Sequence, residues 1–163
     1  MPRVDVRGTW LHYRASGGGE TLLLVHGLGS SARDWELQTS AFASHYRVIA
    51  VDLRGHGQSQ KPAGPYSMTH FAADMDGLLQ VIDAGPAHVV GISLGGMVAL
   101  QLALDAPDMV RSLCIVNSAP EVTVRTLRQR AEMALRLFII QVLGIRAMAA
   151  FVAAKVFPDS EDA

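Results

Sequence analysis

The chain has 163 residues, half of them hydrophobic, which is about one domain with apolar side chains enough for a sizeable core. Its 14 basic and 15 acidic residues nearly cancel, which excludes the electrostatic footprint of a nucleic-acid or anionic-membrane binder. A single cysteine, Cys114, excludes an internal disulfide framework, and MPRVDVRGTW lacks the apolar core of a secretory signal, so a cytoplasmic location is expected.

In chain order, VDVRG and WLHYRA read as a hairpin, followed by a flexible turn at Ser16, Gly17, Gly18 and Gly19. TLLLVH (21–26) is a continuous apolar run, as expected of a strand covered on both faces. Ser31 and Asp34 have the spacing of a serine-to-acid capping box and predict a helix carrying Trp35, Leu37, Ala41 and Phe42. YRVIAVD (46–52) is the next strand and runs into the loop Leu53, Arg54, Gly55, His56, Gly57. Pro62, Gly64 and Pro65 keep the chain irregular until Ser67 caps a second helix, in which Phe71, Met75, Leu78, Leu79 and Ile82 recur at helical spacing. AHVVGI (87–92) is a third buried strand, Leu94 to about Asp105 a third helix, and RSLCIVN (111–117) a further strand. Such alternation predicts an α/β fold with a mostly parallel sheet, right-handed crossovers and helices on both faces.

After Ala119 and Pro120 the pattern is helical only. Residues 1–120 are therefore expected to form the α/β core, and 121–163 an incomplete helical lid. The apolar run over 134–157 is interrupted by Arg136, Arg146 and Lys155 and divided by Gly144, which predicts amphipathic helices rather than a membrane span.

Chemistry concentrates at VVGISLGGMVAL (89–100). Gly91-Ile92-Ser93-Leu94-Gly95 fits G-x-S-x-G, a strand-to-helix turn that exposes a nucleophilic serine. Taken alone, the pentapeptide is also compatible with a Gly-rich turn holding an incidental serine. Its setting, a strand before and a helix after, favours the nucleophile. An acyl-transfer intermediate needs preorganised N–H donors for its oxyanion. The Leu94 N–H is one candidate, and the small residues of His26-Gly27-Leu28-Gly29 let Leu28 turn its N–H into the site. His26 and Gly27 of the same loop are expected to border the substrate.

LLLVHGLGSSARDW, VIAVDLRGHGQS and VVGISLGGMVAL together resemble the N-terminal part of the α/β-hydrolase fold family, in its order and spacing. The likeness covers about residues 5 to 120 closely. It implies that Ser93 is the nucleophile and that Leu28 and Leu94 supply the oxyanion hole. Serine at position 93 argues against the haloalkane dehalogenase and epoxide hydrolase branches, which use Asp there. The resemblance further implies a triad acid and then a histidine, each after a later strand. No histidine follows His88. His12, His45, His70 and His88 are expected at the wrong places for a base; His26 and His56 are at the right end of the sheet but are better suited to holding their own loops. Asp52 is expected to anchor the Arg54–Gly57 loop, and Asn117, an amide, cannot replace a carboxylate.

These readings converge on a truncated serine hydrolase for an ester, lactone or related acyl substrate, weak or inactive alone and needing no metal or cofactor. Leu135, Leu137, Phe138, Ile139, Ile140, Val142 and Leu143 suggest an uncharged, fairly hydrophobic substrate. Carbon–carbon bond hydrolysis shares the frame. The alternative is a non-catalytic fragment or binding module that retains the pocket. RSLCIVN is expected at a sheet edge open to self-association.

Overall fold

The computed structural model describes residues 2–64 and 66–120, together with 126–128, 130, 131, 134 and 135. Six strands form one sheet: β1 (Arg3–Val6), β2 (Thr9–Ser16), β3 (Thr21–Val25), β4 (Arg47–Val51), β5 (Ala87–Ile92) and β6 (Val110–Val116). Their order is β1-β2-β4-β3-β5-β6. The opening hairpin is antiparallel, β2 joins β4 antiparallel, and β4, β3, β5 and β6 run parallel. The sheet is thus mixed, with four parallel strands as expected and an antiparallel hairpin closing one side.

The all-apolar β3 is central and buried at every position, because both faces of the sheet are covered. Side chains alternate between faces with period two. Leu23, Val25, Ile49, Val51 and Val89 point to one face and pack on helices α2 (Met68–Val81) and α3 (Leu94–Asp105), through Phe71, Met75, Leu78, Leu79, Val98 and Leu102. Leu22, Leu24, Val48 and Ala50 point to the other and pack on Ala32 and Trp35. Fully burying a side chain such as Met75 or Leu78 is worth roughly 1.5–3 kcal/mol. The α2–α3 face therefore holds most of the core.

Local signals explain the helix ends. Ser67 accepts a hydrogen bond from the His70 N–H at 3.2 Å and starts α2, as its position predicts. At the other end Asp83 takes the left-handed conformation (φ 48°), the Ala84 N–H reaches Leu79 O and the Asp83 N–H reaches Gln80 O. This is a Schellman closure with aspartate in the usual glycine place. Arg47 donates to the carbonyls of Ile82 and Asp83 and completes it.

One predicted helix differs. Ser31 caps a short 3₁₀ helix, Ala32–Trp35, and only then does α1 (Glu36–Phe42) begin. Asp34 does not close a capping box, because its carboxylate takes the Ser30 hydroxyl instead. The α1 segment buries no residue and Leu37 is 86% exposed; of the residues expected on one helix, Trp35 is buried but belongs to the preceding 3₁₀ turn.

The chain divides into two units, Met1–Glu121 and Val122–Ala163, and every element named above belongs to the first. The expected lid and its apolar run over 134–157 lie almost wholly outside the described residues. Among the described residues no helix is long and apolar enough to cross a membrane.

Candidate active site

β5 ends at Ile92, α3 starts at Leu94, and Ser93 alone makes the turn between them. Its backbone sits at φ 53°, ψ −117°, a region where a residue with a side chain is strained by roughly 1–3 kcal/mol. The surroundings hold it there. Its N–H donates to Val116 O, the last residue of β6, at 3.0 Å. Its carbonyl accepts from the N–H groups of Gly96 and Met97 and from the Ser118 hydroxyl at 2.6 Å. Two glycines allow the close approach. A Cβ on Gly91 would stand 2.3 Å from Gly95 O, and one on Gly95 2.2 Å from Val25 O.

The consequence is an exposed serine whose backbone is fully held and whose hydroxyl makes no hydrogen bond among the described residues. It sits at the positive end of α3. Leu94, the first residue of that helix, has no intrahelical acceptor for its N–H.

The loop after β3 faces the same place. A Cβ on Gly27 would lie 3.6 Å from Ser93 Cβ. His26 fixes this loop from beneath. It is fully buried, its Nδ1 lies 2.6 Å from Gly27 O, and its Nε2 accepts the Leu53 N–H at 3.1 Å. An Nε2 that accepts must be unprotonated, so the proton is on Nδ1, which donates to Gly27 O. Burial favours the same neutral state and holds the imidazole below its ordinary 6.5, with the nearby His56 ring adding to the effect. The Gly27 carbonyl is also reached by the Ser30 N–H at 3.3 Å. In a trans peptide the N–H points opposite to the C=O, so pinning Gly27 O turns the Leu28 N–H the other way. The Leu28 side chain is 72% exposed. Of the two residues expected to border the substrate, Gly27 lies beside Ser93, whereas His26 has both nitrogens engaged by backbone and holds the loop.

None of the six histidines is hydrogen-bonded to Ser93. His88 lies at the opposite end of β5, five residues or roughly 16 Å away, and bonds to Ser112. His45 precedes β4, also at the far end. His70 is paired with Ser67 at the start of α2, and His12 with Asp52. His56 faces Arg54 O through Nδ1 at 3.0 Å and lies tilted against His26, with ring centroids 5.2 Å apart and planes at 58°.

Asp52 anchors the loop after β4 as its place at the strand end predicts, and more besides. It accepts from Gln58 N at 2.8 Å, Ala32 N at 2.7 Å and His12 Nδ1 at 2.9 Å. Two partnerships escape sequence reasoning: the His12–Asp52 pair and the bidentate Arg54–Asp74 pair at 2.5 Å. Finding the first needs the β2–β4 register, which places His12 beside Asp52, the residue after β4. Ser118 escapes sequence reasoning as well, since only the β5–β6 pairing brings its hydroxyl to the Ser93 carbonyl.

A sequence-family model described as the alpha/beta hydrolase fold matches residues 20–142. The chain is 42% identical over 117 residues to a protein of Azorhizobium caulinodans provisionally named carbamate hydrolase RutD, covering 72% of this chain and 44% of that one. It is 33% identical over 106 residues to the (E)-2-((N-methylformamido)methylene)succinate hydrolase of Acinetobacter baylyi, covering 65% and 40%. Among solved structures, the enol-lactonase from Burkholderia xenovorans LB400 superposes with a TM-score of 0.83 at 29% identity, over 94% of this chain and 58% of that one. The chain matches less than half the length of these two curated relatives.

Proposed function

The chain belongs to the α/β-hydrolase fold family, and from that premise we propose that it is the nucleophile-bearing part of a serine hydrolase for an ester, lactone or related acyl substrate. The observation that carries this reading is Ser93: exposed, strained, unbonded at its hydroxyl among the described residues and seated at the start of α3. Nothing in core packing needs a strained polar residue there. Similarity to an enol-lactonase and to amide- and carbamate-named hydrolases supports acyl chemistry.

In the proposed reaction a base removes the Ser93 proton and Oγ attacks the substrate carbonyl carbon. The carbonyl π electrons move to oxygen, and the N–H groups of Leu28 and Leu94 stabilise that oxyanion. One such donor contributes about 2.7–4 kcal/mol. Collapse breaks the bond to the leaving group, which takes a proton, and water then hydrolyses the acyl-serine. None of the six histidines here is held where it could serve as that base, so in this reading the base comes from another segment.

A nitrophenyl ester assay tests this. The chain alone should retain only the residual catalysis of an oxyanion hole, roughly 10³–10⁴-fold over water, and without a base Ser93→Ala should leave that residual nearly unchanged. Turnover no faster than the uncatalysed hydrolysis would favour a non-catalytic module. A strong burst lost in Ser93→Ala would put the base within this chain. The β6 strand, exposed at four of its seven positions at the end of the sheet, supports self-association through that edge, and light scattering across a concentration series measures it.

A further inference from the structure

The segment that ends β6 grips Ser93 twice. Val116 O accepts the Ser93 N–H at 3.0 Å, and the Ser118 hydroxyl donates to the Ser93 carbonyl at 2.6 Å. Between them Asn117 takes a left-handed backbone (φ 45°), a conformation in which Asn is enriched among residues with a side chain. The turn at Asn117 brings both contacts onto one residue.

The second contact needs room, and Gly96 supplies it. A Cβ there would stand 2.5 Å from Ser118 Cβ and 2.8 Å from Ser118 Oγ. Glycine weakens a helix relative to alanine, yet α3 carries it in its first turn, against the Ser118 side chain. Helix propensity is given up at the position the Ser118 contact requires.

The Ser93 carbonyl belongs to the same peptide as the Leu94 N–H. The two point in opposite directions across a trans peptide, so whatever fixes the carbonyl aims the N–H. Two bonds to that oxygen come from α3 itself, from the Gly96 N–H at 3.0 Å and the Met97 N–H at 3.2 Å. Both donors belong to the helix that Leu94 begins and would move with it. Among the described residues Ser118 is the donor from outside the helix, at a shorter distance, and it ties this peptide to the end of the sheet. Hydrogen bonds in a chain polarise one another, so a donor on the carbonyl makes the N–H at the other side of the peptide a stronger donor. The Gly27 carbonyl and the Leu28 N–H are arranged likewise, with His26 and Ser30 in the place of Ser118.

We propose that Ser118 is a positioning residue for the oxyanion site, its hydroxyl setting the direction and the donor strength of the Leu94 N–H. The proposal rests on the reading of Ser93 and Leu94 as acyl-transfer machinery. Ser118 itself touches no reacting atom.

Ser118→Ala and Ser118→Thr, made in the whole chain labelled with ¹³C′-serine and ¹⁵N-leucine, test it. Only two Ser-Leu pairs occur, 93–94 and 112–113, and the second, on β6, reports that the fold is intact. In Ser118→Ala the Ser93 ¹³C′ and Leu94 amide resonances should shift while the Ser112–Leu113 pair stays. The residual kcat on a nitrophenyl ester should fall about threefold to tenfold at unchanged KM, the range of one neutral hydrogen bond felt only in the transition state. Ser118→Thr keeps the hydroxyl and should restore both readouts. A catalytic parent whose kcat is indifferent to Ser118→Ala would overturn this proposal alone, as would a fall in kcat with the Leu94 amide unmoved. A parent no faster than uncatalysed hydrolysis would overturn the acyl reading, and this proposal with it.

Discussion

The loops that leave β4 and β5 flank the same central strand at the same end of the sheet, yet they are built in opposite ways. After β4, Asp52 takes three donors, Ser59 bonds to the Asp52 carbonyl and to the His12 N–H, and Arg54 is clamped by Asp74. Four of these interactions, Asp52 with His12 and with Ala32, Ser59 with His12, and Arg54 with Asp74, join distant segments. After β5, the backbone of Ser93 is equally well held, but its side chain is exposed and, among the described residues, unbonded in a strained conformation. One loop binds the domain together, whereas the other leaves a hydroxyl exposed.

The largest effect should come from the β4 loop. Asp52→Ala leaves His12, the Ala32 N–H and the Gln58 N–H without their acceptor. Each buried donor left unpaired costs about 1–3 kcal/mol, so the three together cost several kcal/mol. For a chain of this size that lowers the thermal midpoint by roughly 10 °C or more. A loss below about 1 kcal/mol in calorimetry would show that the two loops do not differ as described.

Ser93→Gly should act in the opposite sense. Glycine adopts positive φ without strain, so the variant should gain about 1 kcal/mol of stability while losing acyl reactivity. Denaturant titration beside an activity assay reads both. A destabilised variant would mean that Ser93 is structural.

The smallest effect concerns pH. His26 is held neutral in the folded chain, below its ordinary 6.5, so the unfolded chain takes up the proton first. Its contribution to stability is complete above about pH 6.5 and is lost as pH falls toward the folded value. Thermal midpoints should therefore fall on acidification from neutral pH, and His26→Gln should flatten that part of the profile. A midpoint that rises as His26 becomes protonated would reverse the sign.

The same contrast explains what the sequence reveals. The Ser93 turn, the Ser67 cap and the buried strands are local patterns, set by residues within a few positions of each other. What sequence reasoning misses is long-range. The His12–Asp52 and Arg54–Asp74 partners are 40 and 20 residues apart, and no periodicity announces them. The 3₁₀ start at Ala32 has the same origin: Asp52 Oδ1 takes the Ala32 N–H and draws that turn onto the end of β4. Strand register, not composition, decides such contacts.

The central claim is that Ser93 is a preformed nucleophile waiting for a base. Its rate of labelling by a fluorophosphonate, with the site identified by mass spectrometry, tests this most directly. The account predicts slow labelling of this chain at Ser93, and rapid labelling once a segment carrying the triad acid and histidine is joined to it. Equal rates in the two proteins, or labelling at a residue other than Ser93, would contradict it.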